Sequence, residues 1–323
     1  MSQRRYSKLF VELFLESFNQ PPKQIVLDLD VTDDQVHGNQ EQGFFNTYYG
    51  GVCYAPLYVF CGKQLLVSKL RASNVDPAAG ALDELQRVIG LIRTHWLKTR
   101  ILVRGDSAYS REEIMAWCES QKIDYVFGLG SNARLIRMSL ATQEKAKAEY
   151  QPRKEPVTWY RSLCYKTLDS WSRFRRVVAK VDCGPEGNKT SALSSPPSQH
   201  SWFLPACSTL QKYCPRGEME NRFKEQQLEF SDRTSTHTFQ GNQLRLWFSS
   251  LAYVLMNDLR QSCLATTELA SAQVGTIRTK LLKLGARVLV SVRRIQIAIS
   301  TGCPFQAVFA SAYRQLQAMP QPG

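Results

Sequence analysis

The sequence lacks the cysteine and histidine patterns of zinc modules and disulfide frameworks. Its nine cysteines are an odd number without a C-x-x-C pair, and its four histidines form no H-x-x-x-H motif. This usage is typical of reduced, mostly buried thiols rather than of a secreted, disulfide-stabilised domain. We therefore expect a cytoplasmic protein.

Long apolar runs are missing as well. No run reaches the roughly 18 residues that a membrane-spanning helix needs. The N-terminal stretch RRYSKLFVELFLESF carries Glu12 and Glu16 inside its apolar stripe. This pattern predicts a short amphipathic helix within residues 1–24 and not a signal peptide, so we expect no membrane partner.

Acidic residues are absent from the C-terminal end. The net charge is +13, the pI is near 9.4, and no Asp or Glu follows Glu268. The basic residues beyond that point are Arg278, Lys280, Lys283, Arg287, Arg293, Arg294 and Arg314. This one-sided charge predicts a polyanionic partner, although a solvated basic helix would give the tail the same composition.

The stretch IVLDLDVTDD, residues 25–34, has the pattern of a buried strand that carries acids. Because side chains alternate along a strand, Asp28 and Asp30 share one face with Val26. A carboxylate buried without compensation costs several kcal/mol. A basic partner, backbone N–H groups at the strand end or a bound cation would compensate it.

Residues 25–130 predict a mixed sheet. Their pattern gives, in order, a strand, a hairpin, a helix, a strand ending at Asp106, a helix and a strand. That order favours an α/β fold in which helices flank a mixed sheet, as in ribonuclease H-like folds. We expect about five strands, with the strand ending at Asp30 beside the strand ending at Asp106.

Residues 131–208 differ in character, because basic side chains alternate there with aromatic ones in short runs typical of strands. We interpret them as a β-rich inserted subdomain. Such a surface could hold phosphates and stack on unpaired bases, and an ordinary antiparallel sheet with one solvated face is the alternative. Residues 184–210 overlap the end of this region. Their low apolar content predicts a loop.

Residues 209–323 predict a helical remainder with a basic tail, the helices continuing to about residue 300. The segment YCPRGEMENRFKE predicts a helix, since Pro215 suits a first helical turn. Steps of three, four and four residues place four side chains on one face: Tyr213, Arg216, Glu220 and Lys224. Glu218 lies off that face. A surface salt-bridge ladder would give the same spacing.

Two strand-borne aspartates and a helix-borne glutamate together indicate a metal site. Three clustered carboxylates repel one another and stay ionised most readily around divalent cations. Oxygen ligands without Cys or His favour Mg²⁺ or Mn²⁺ over zinc. Two such ions would support an in-line phosphoryl displacement.

Several blocks of the sequence, in order, resemble DDE transposases of bacterial insertion sequences, and most closely the group known as thirteen-eighty. The blocks are DLDVTDD, ILVRGDSAYSREEIMAWCE, DYVFGLGSNARL, YCPRGEMENRFKE, DRTSTHTF, NQLRLWFSSLAYVL and TIRTKLLKLGARVLVSVRRI, within residues 8–300. The resemblance implies a ribonuclease H-like core, a β-rich insertion before the third acid, and Mg²⁺-dependent cutting and joining of double-stranded DNA at transposon ends. It also implies a homodimer at paired ends.

The resemblance also assigns roles to residues. The family's Asp-x-Thr falls on Asp30, with Asp28 as the alternative first acid; the second and third acids fall on Asp106 and Glu220. These three would hold the metal ions. In the branch signature Tyr-x2-Arg-x3-Glu-x6-Lys, the resemblance implies DNA contacts by Tyr213, Arg216 and, in place of the final lysine, Lys224.

Three departures from the family pattern leave alternatives open. The signature lysine is replaced by Gln227, about 24 residues precede the first strand, and residues 189–210 do not resemble the expected Val-rich strand. A truncated or frame-damaged copy would show such departures. The leading hypothesis is a transposase that cleaves and joins DNA. The alternatives are an inactive DNA-binding remnant and, less favoured, a metal-dependent nuclease acting on structures such as DNA junctions.

Overall fold

The structure is a computed structural model that describes residues 3–196, 213 and 217–319. The chain forms two compact units, Met1–Glu220 and Asn221–Gly323. Each unit has a hydrophobic core of its own. The domain boundaries predicted after residues 24, 130 and 208 stay predictions.

The first unit is built around a mixed sheet. Up to residue 130 its elements are α1 (Gln3–Glu16), β1 (Gln24–Val31), β2 (Asp34–Gln35), β3 (Phe44–Asn46), β4 (Gly51–Tyr54), β5 (Leu57–Cys61), β6 (Gln64–Lys69), α2 (Ala81–His95), β7 (Arg100–Gly105), α3 (Glu112–Ser120) and β8 (Asp124–Leu129). A short 3₁₀ turn, Ser107–Tyr109, follows β7. The predicted order of strand, hairpin, helix, strand, helix and strand is confirmed.

The remaining elements of this unit are α4 (Ala133–Arg153), β9 (Val157–Tyr165), β10 (Arg175–Gly184) and β11 (Gly187–Ser195). Eight strands form the main sheet in the order β6-β5-β1-β7-β8-β11-β10-β9. β1 is antiparallel to β5 and parallel to β7, and β7 is parallel to β8. The predicted neighbours β1 and β7 are therefore confirmed, and the sheet is wider than expected because β9, β10 and β11 extend it.

Residues 133–153 form a helix at the start of the region expected to be rich in strands. The loop predicted at 184–210 was wrong in part. Residues 187–195 form β11 where a loop was expected, because β11 pairs with β10 on one side and β8 on the other. Ala192 and Ser194 are both buried between those neighbours. This part of β11 therefore lacks the alternation of polar and apolar residues that predicts a strand. Residues 197–210 lie outside the described residues.

The two faces of β1 differ as its alternation predicts. Ile25, Leu27 and Leu29 pack into the main core with apolar side chains of α1, α2 and α3. On the other face, Val26 packs with Leu102 of β7 and with apolar residues of β8, β10 and β11. This second face is also the one that carries the two aspartates of β1.

The second unit is mainly helical. Its elements are α5 (Glu218–Leu228, which begins in the first unit), α6 (Phe239–Ser262), α7 (Val274–Ile277), a π-helical turn (Arg278–Leu282), β12 (Ala286–Val290), β13 (Ile295–Ile299) and α8 (Gln306–Ala318). β12 and β13 form an antiparallel hairpin. Helices were expected up to residue 300, so the prediction was wrong for 286–299, where Val and Ile alternate with other residues on both sides of a turn.

Candidate active site

The carboxyl ends of β1 and β7 position the first two candidate acids. These strands are parallel neighbours, and Asp28 stands opposite Arg104 in their register. Asp30 lies two residues after Asp28, and Asp106 lies two residues after Arg104. Residues two apart on a strand project from the same face. Both acids therefore leave the sheet at one edge and on one face, where parallel strands commonly place a site.

Asp28 is compensated by a basic partner. Its carboxylate accepts two hydrogen bonds from Arg104, with Nε–Oδ1 at 2.5 Å and Nη2–Oδ2 at 2.8 Å. The two side chains are 1% and 7% exposed, respectively. A bidentate pair of this kind satisfies both charges in a buried environment. Asp28 is therefore paired with Arg104 within the sheet, two residues before Asp30 at the end of β1.

Asp30 and Asp106 are both half-buried and are oriented by local backbone groups. Asp30 Oδ1 accepts a hydrogen bond from the N–H of Val31 at 2.9 Å. Asp106 caps the 3₁₀ turn that follows β7, because its Oδ1 accepts the N–H of Ala108 at 2.9 Å. Each carboxylate is thus held at the strand end by a short local contact.

Gly128 of β8 marks a close approach of three segments. A Cβ atom placed on it would lie 2.9 Å from Ser107 N, 3.0 Å from Tyr213 Oη and 3.1 Å from the carbonyl carbon of Asp106. Tyr213 also packs against the apolar cluster on the same face of the sheet as Asp28. The structure therefore brings the tyrosine of the predicted helix signature to the peptide that carries the second acid.

The third candidate acid lies on α5. Glu220 and Lys224 are exposed one helical turn apart, whereas Met219 and Phe223 are buried. Gln227, which replaces the signature lysine, is half-buried on the same helix. Arg216 and the side chain of Glu218 lie outside the described residues.

The three candidate acids do not form a ligand group. In the part of the chain that the structure describes, no three His, Cys, Asp or Glu side chains lie close enough to hold a metal ion. Asp30 and Asp106 share an edge of the sheet, but Glu220 does not complete a cluster with them. The assignment of these three residues as metal ligands stays a prediction.

Comparison with protein families decides what kind of protein carries this arrangement. The family model described as Transposase DDE domain group 1 matches residues 1–321. The chain belongs to this family of DDE transposases.

Comparison with solved structures matches this transposase to the cryo-EM structure of the piggyBac transposase synaptic complex with hairpin DNA. The identity is 10% and the TM-score 0.45; the match covers 94% of the transposase described here and 55% of that chain. None of the curated proteins compared with the transposase matches it. No helix within its described residues is long and apolar enough to cross a membrane.

Sequence patterns did not identify Tyr49 as a neighbour of the first candidate acid, Asp30. Burial, and then the negative charges of Asp33 and Asp30, raise the pKa of the Tyr49 phenol. Tyr49 therefore lies within electrostatic reach of both carboxylates. The available signal was the aromatic string FFNTYYGG, which begins at residue 44, after the acidic strand.

Proposed function

We propose that this chain is an insertion-sequence transposase of the thirteen-eighty group that cleaves DNA at element ends and joins them to target DNA. The observation that carries the proposal is the convergence of Asp106 and Tyr213 at Gly128, on the strand next to β7. In the Tyr-x2-Arg-x3-Glu-x6-Lys signature, this tyrosine belongs to the helix of the third acid.

Strand topology supports a ribonuclease H-like core within this chain. Strands β6, β5, β1, β7 and β8 are consecutive in the sheet and combine an antiparallel hairpin with parallel neighbours. β9, β10 and β11 precede the third acid in sequence and would correspond to the β-rich insertion.

The chemistry of the two aspartate donors suits a hard divalent cation. Asp30 and Asp106 offer only oxygen atoms at one edge of the sheet, and such ligands suit Mg²⁺ or Mn²⁺. Glu220 is the proposed third ligand for two ions, and it is not clustered with Asp30 and Asp106 in this structure. When bound, such ions activate a water or 3′-hydroxyl and stabilise the leaving oxygen of a phosphoryl transfer. The backbone contacts of Asp30 and Asp106 orient the two carboxylates before any ligand binds.

Double-stranded DNA is the partner that this chemistry requires. The basic C-terminal region supplies the charge to hold phosphates. Tyr213, Arg216 and Lys224 would contact the strand that enters the site. We also propose a homodimer that pairs two element ends in the cytoplasm of a bacterium.

The test measures cleavage of a duplex that bears the element ends, with Mg²⁺. We expect Asp30→Asn, Asp106→Asn and Glu220→Gln each to lower the cleavage rate at least about a hundredfold, since each removes a metal ligand. Glu218→Gln is the matched control and should change cleavage little. Binding of the same duplex should remain nearly unchanged. Near-normal cleavage by Glu220→Gln would exclude it as the third acid.

An inactive DNA-binding remnant is the second candidate. Gln227 at the signature lysine position and the absence of an acidic ligand group in the described residues favour it. A wild-type chain that binds the duplex in a salt-dependent manner but never cleaves it, with Mg²⁺ or Mn²⁺, would establish this candidate instead.

A further inference from the structure

A cavity in the second unit is lined mainly by charged side chains. Its volume is about 460 Å³. The end of α5, the turn that follows it and the start of the π-helical turn all contribute to its wall. The lining residues that matter here are Lys224, Gln227, Phe230, Asp232, Arg233 and Arg278. We call this space the basic cavity.

Positive charge dominates the basic cavity. Lys224, Arg233 and Arg278 supply three positive charges and Asp232 one negative charge, which leaves a net charge of +2. Asp232 lies 3.8 Å from Nε of Arg233, and both side chains are exposed, so this loose ion pair neutralises little. Arg245 adds a further cation nearby, because its Nε donates to the carbonyl oxygen of Arg233 at 2.8 Å. The cavity therefore favours an anion.

The guanidinium group of Arg278 is held in position by uncharged partners. Its Nη1 donates to the carbonyl oxygen of Leu228 at 2.5 Å, and its Cζ lies 5.2 Å from the centroid of the Phe230 ring. Glu229 is an acid within its electrostatic reach, but within the described residues no ion pair joins the two; burial raises the pKa of the Glu229 carboxyl, and the charge of Arg278 opposes that rise. Arg278 is thus fixed without being neutralised.

The chemistry of the basic cavity suits a phosphate group. The planar fork of an arginine matches phosphate oxygens, and a lysine binds phosphate as a point charge. Lys224 and Arg233 are exposed, so a ligand on a long polymer can reach them. DNA is the polyanion that the proposed function supplies, and Lys224 is already among its proposed contacts. Gln227, at the position of the signature lysine, lines the same cavity with an uncharged side chain.

We propose that the basic cavity binds a phosphate group of the DNA backbone, with Arg278 as the principal ligand and Lys224 and Arg233 beside it. This inference rests on the proposed function, because it takes DNA as the partner. Arg278, from a later segment of the chain, supplies at the cavity the positive charge that Gln227 lacks. The departure at Gln227 therefore does not by itself imply a lost contact with DNA.

The test measures equilibrium binding of a duplex that bears the element ends, over a range of salt concentrations. Ca²⁺ replaces Mg²⁺, so that the result does not depend on cleavage. Each phosphate contact steepens the fall of log K with log salt by about 0.9. We expect Arg278→Met to reduce this slope by up to about 0.9 and to weaken binding up to about eightfold at roughly 0.1 M salt. Arg278→Lys should stay close to wild type, because it keeps the charge.

A second substitution separates the charge of Arg278 from its structural contacts. Adding Gln227→Lys to Arg278→Met returns a cation to the same cavity but restores neither the hydrogen bond to Leu228 nor the contact with Phe230. We expect this double variant to recover most of the slope. A double variant that binds as weakly as Arg278→Met would show that Arg278 acts through the fold and would overturn the inference.

Lys98→Met is the matched control for the loss of one positive charge. Lys98 is exposed and lies in the first unit, just before β7. The inference is overturned if Arg278→Met keeps the wild-type slope or if Lys98→Met loses as much. Thermal unfolding verifies that Arg278→Met folds; if it does not, Arg233→Met, which changes an exposed side chain, takes its place with a smaller expected decrease.

Cleavage by the wild-type chain with Mg²⁺ is measured separately, so that the two proposals can fail independently. If binding depends on the charge of Arg278 but element ends are never cleaved, the phosphate contact stands and the proposed cleavage fails. If element ends are cleaved and Arg278→Met binds DNA like wild type, only the inference about the basic cavity fails.

Discussion

The strand pair β1–β7 and the hairpin β12–β13 use similar residues in opposite environments. Both pairs are rich in Val, Ile and Leu. Most of β1 and β7 is buried, whereas every residue of β12 and β13 except Ile299 is exposed. The local sequence thus favours a strand in both places. Whether the side chains of that strand are buried depends on the elements packed beside it.

The two pairs also treat charge differently. Asp28 and Arg104 neutralise each other between buried strands. On the hairpin, directly paired residues project from one face, so Ala286, Val288, Val290, Ile295 and Ile297 form an apolar face. Arg287 lies on the opposite face, in solvent. A two-stranded hairpin without further support is at best marginally stable in water, so we expect the difference to appear in mutational energies.

The largest effect should come from breaking the buried ion pair. We expect Arg104→Met to lower the free energy of unfolding by about 3–5 kcal/mol, because it leaves the Asp28 carboxylate buried without its partner. Urea denaturation measures the change. The double variant Arg104→Met with Asp28→Leu should recover much of it.

Arg100→Met is the matched control on the same strand. Arg100 pairs with Asp124 at 3.2 Å, and both side chains are exposed. Such a surface pair contributes about 0–1 kcal/mol. Equal losses for Arg104→Met and Arg100→Met would contradict the comparison between buried and exposed charge.

The second effect concerns the close approach at Gly128. Gly128→Ala places a methyl group 2.9 Å from the backbone nitrogen of Ser107, which must then move together with Asp106. We expect a loss of about 1–3 kcal/mol in unfolding free energy and impaired cleavage. Gly130→Ala is the control, since nothing lies within 4 Å of its Cβ position. If both variants unfold at the same urea concentration, Asp106 and Tyr213 do not converge as described.

The third effect compares one substitution in both strand pairs. Val103 of β7 is fully buried, whereas Val290 of β12 is 75% exposed. Val103→Thr should cost about 1–3 kcal/mol, because it buries a hydroxyl group. Val290→Thr should change stability by less than about 0.5 kcal/mol. A large loss for Val290→Thr in the unfolding curve would mean that the hairpin face is covered in solution.

The smallest effect should appear only in acid. Burial alone would raise the pKa of the Glu112 carboxyl, but hydrogen bonds from Arg175 and Ser172 outweigh it and lower the pKa from 4.5 to about 2. A lowered pKa contributes stability above the unfolded-state value, and this contribution is lost as the pH falls toward 2. Glu112→Gln should flatten the fall in melting temperature between about pH 4.5 and 2.

Glu113→Gln is the control for that experiment, since Glu113 is the exposed neighbour on the same helix. It should retain the wild-type pH profile. A wild-type profile in Glu112→Gln would show that the ion pair with Arg175 contributes nothing to acid sensitivity.

Patterns within a strand could be predicted from the sequence. The alternation in β1 correctly placed Asp28 and Asp30 on the face opposite Leu27, as local periodicity requires. The expectation that acids at the ends of two strands meet at one site correctly made β1 and β7 neighbours. The roles of Asp30, Asp106 and Glu220 stay predictions.

Contacts between distant segments could not be predicted in this way. Arg104 compensates the buried charge of Asp28, although 76 residues separate them in the sequence. The sequence next to either residue does not indicate that they pair. β11 was missed because two partner strands, and not its own Ser-rich composition, make it a strand. The hairpin at 286–299 was missed because its apolar alternation was attributed to helices.

The ion pair between Asp28 and Arg104 has a consequence for how this sequence can change. Each partner stands two positions before a candidate acid, so a slip of one residue in either strand would turn both the pair and the acid toward the apolar core. Selection for a folded chain alone therefore preserves the strand register. A chain of this family that has lost its activity would therefore keep Asp30 and Asp106 aligned for as long as it folds.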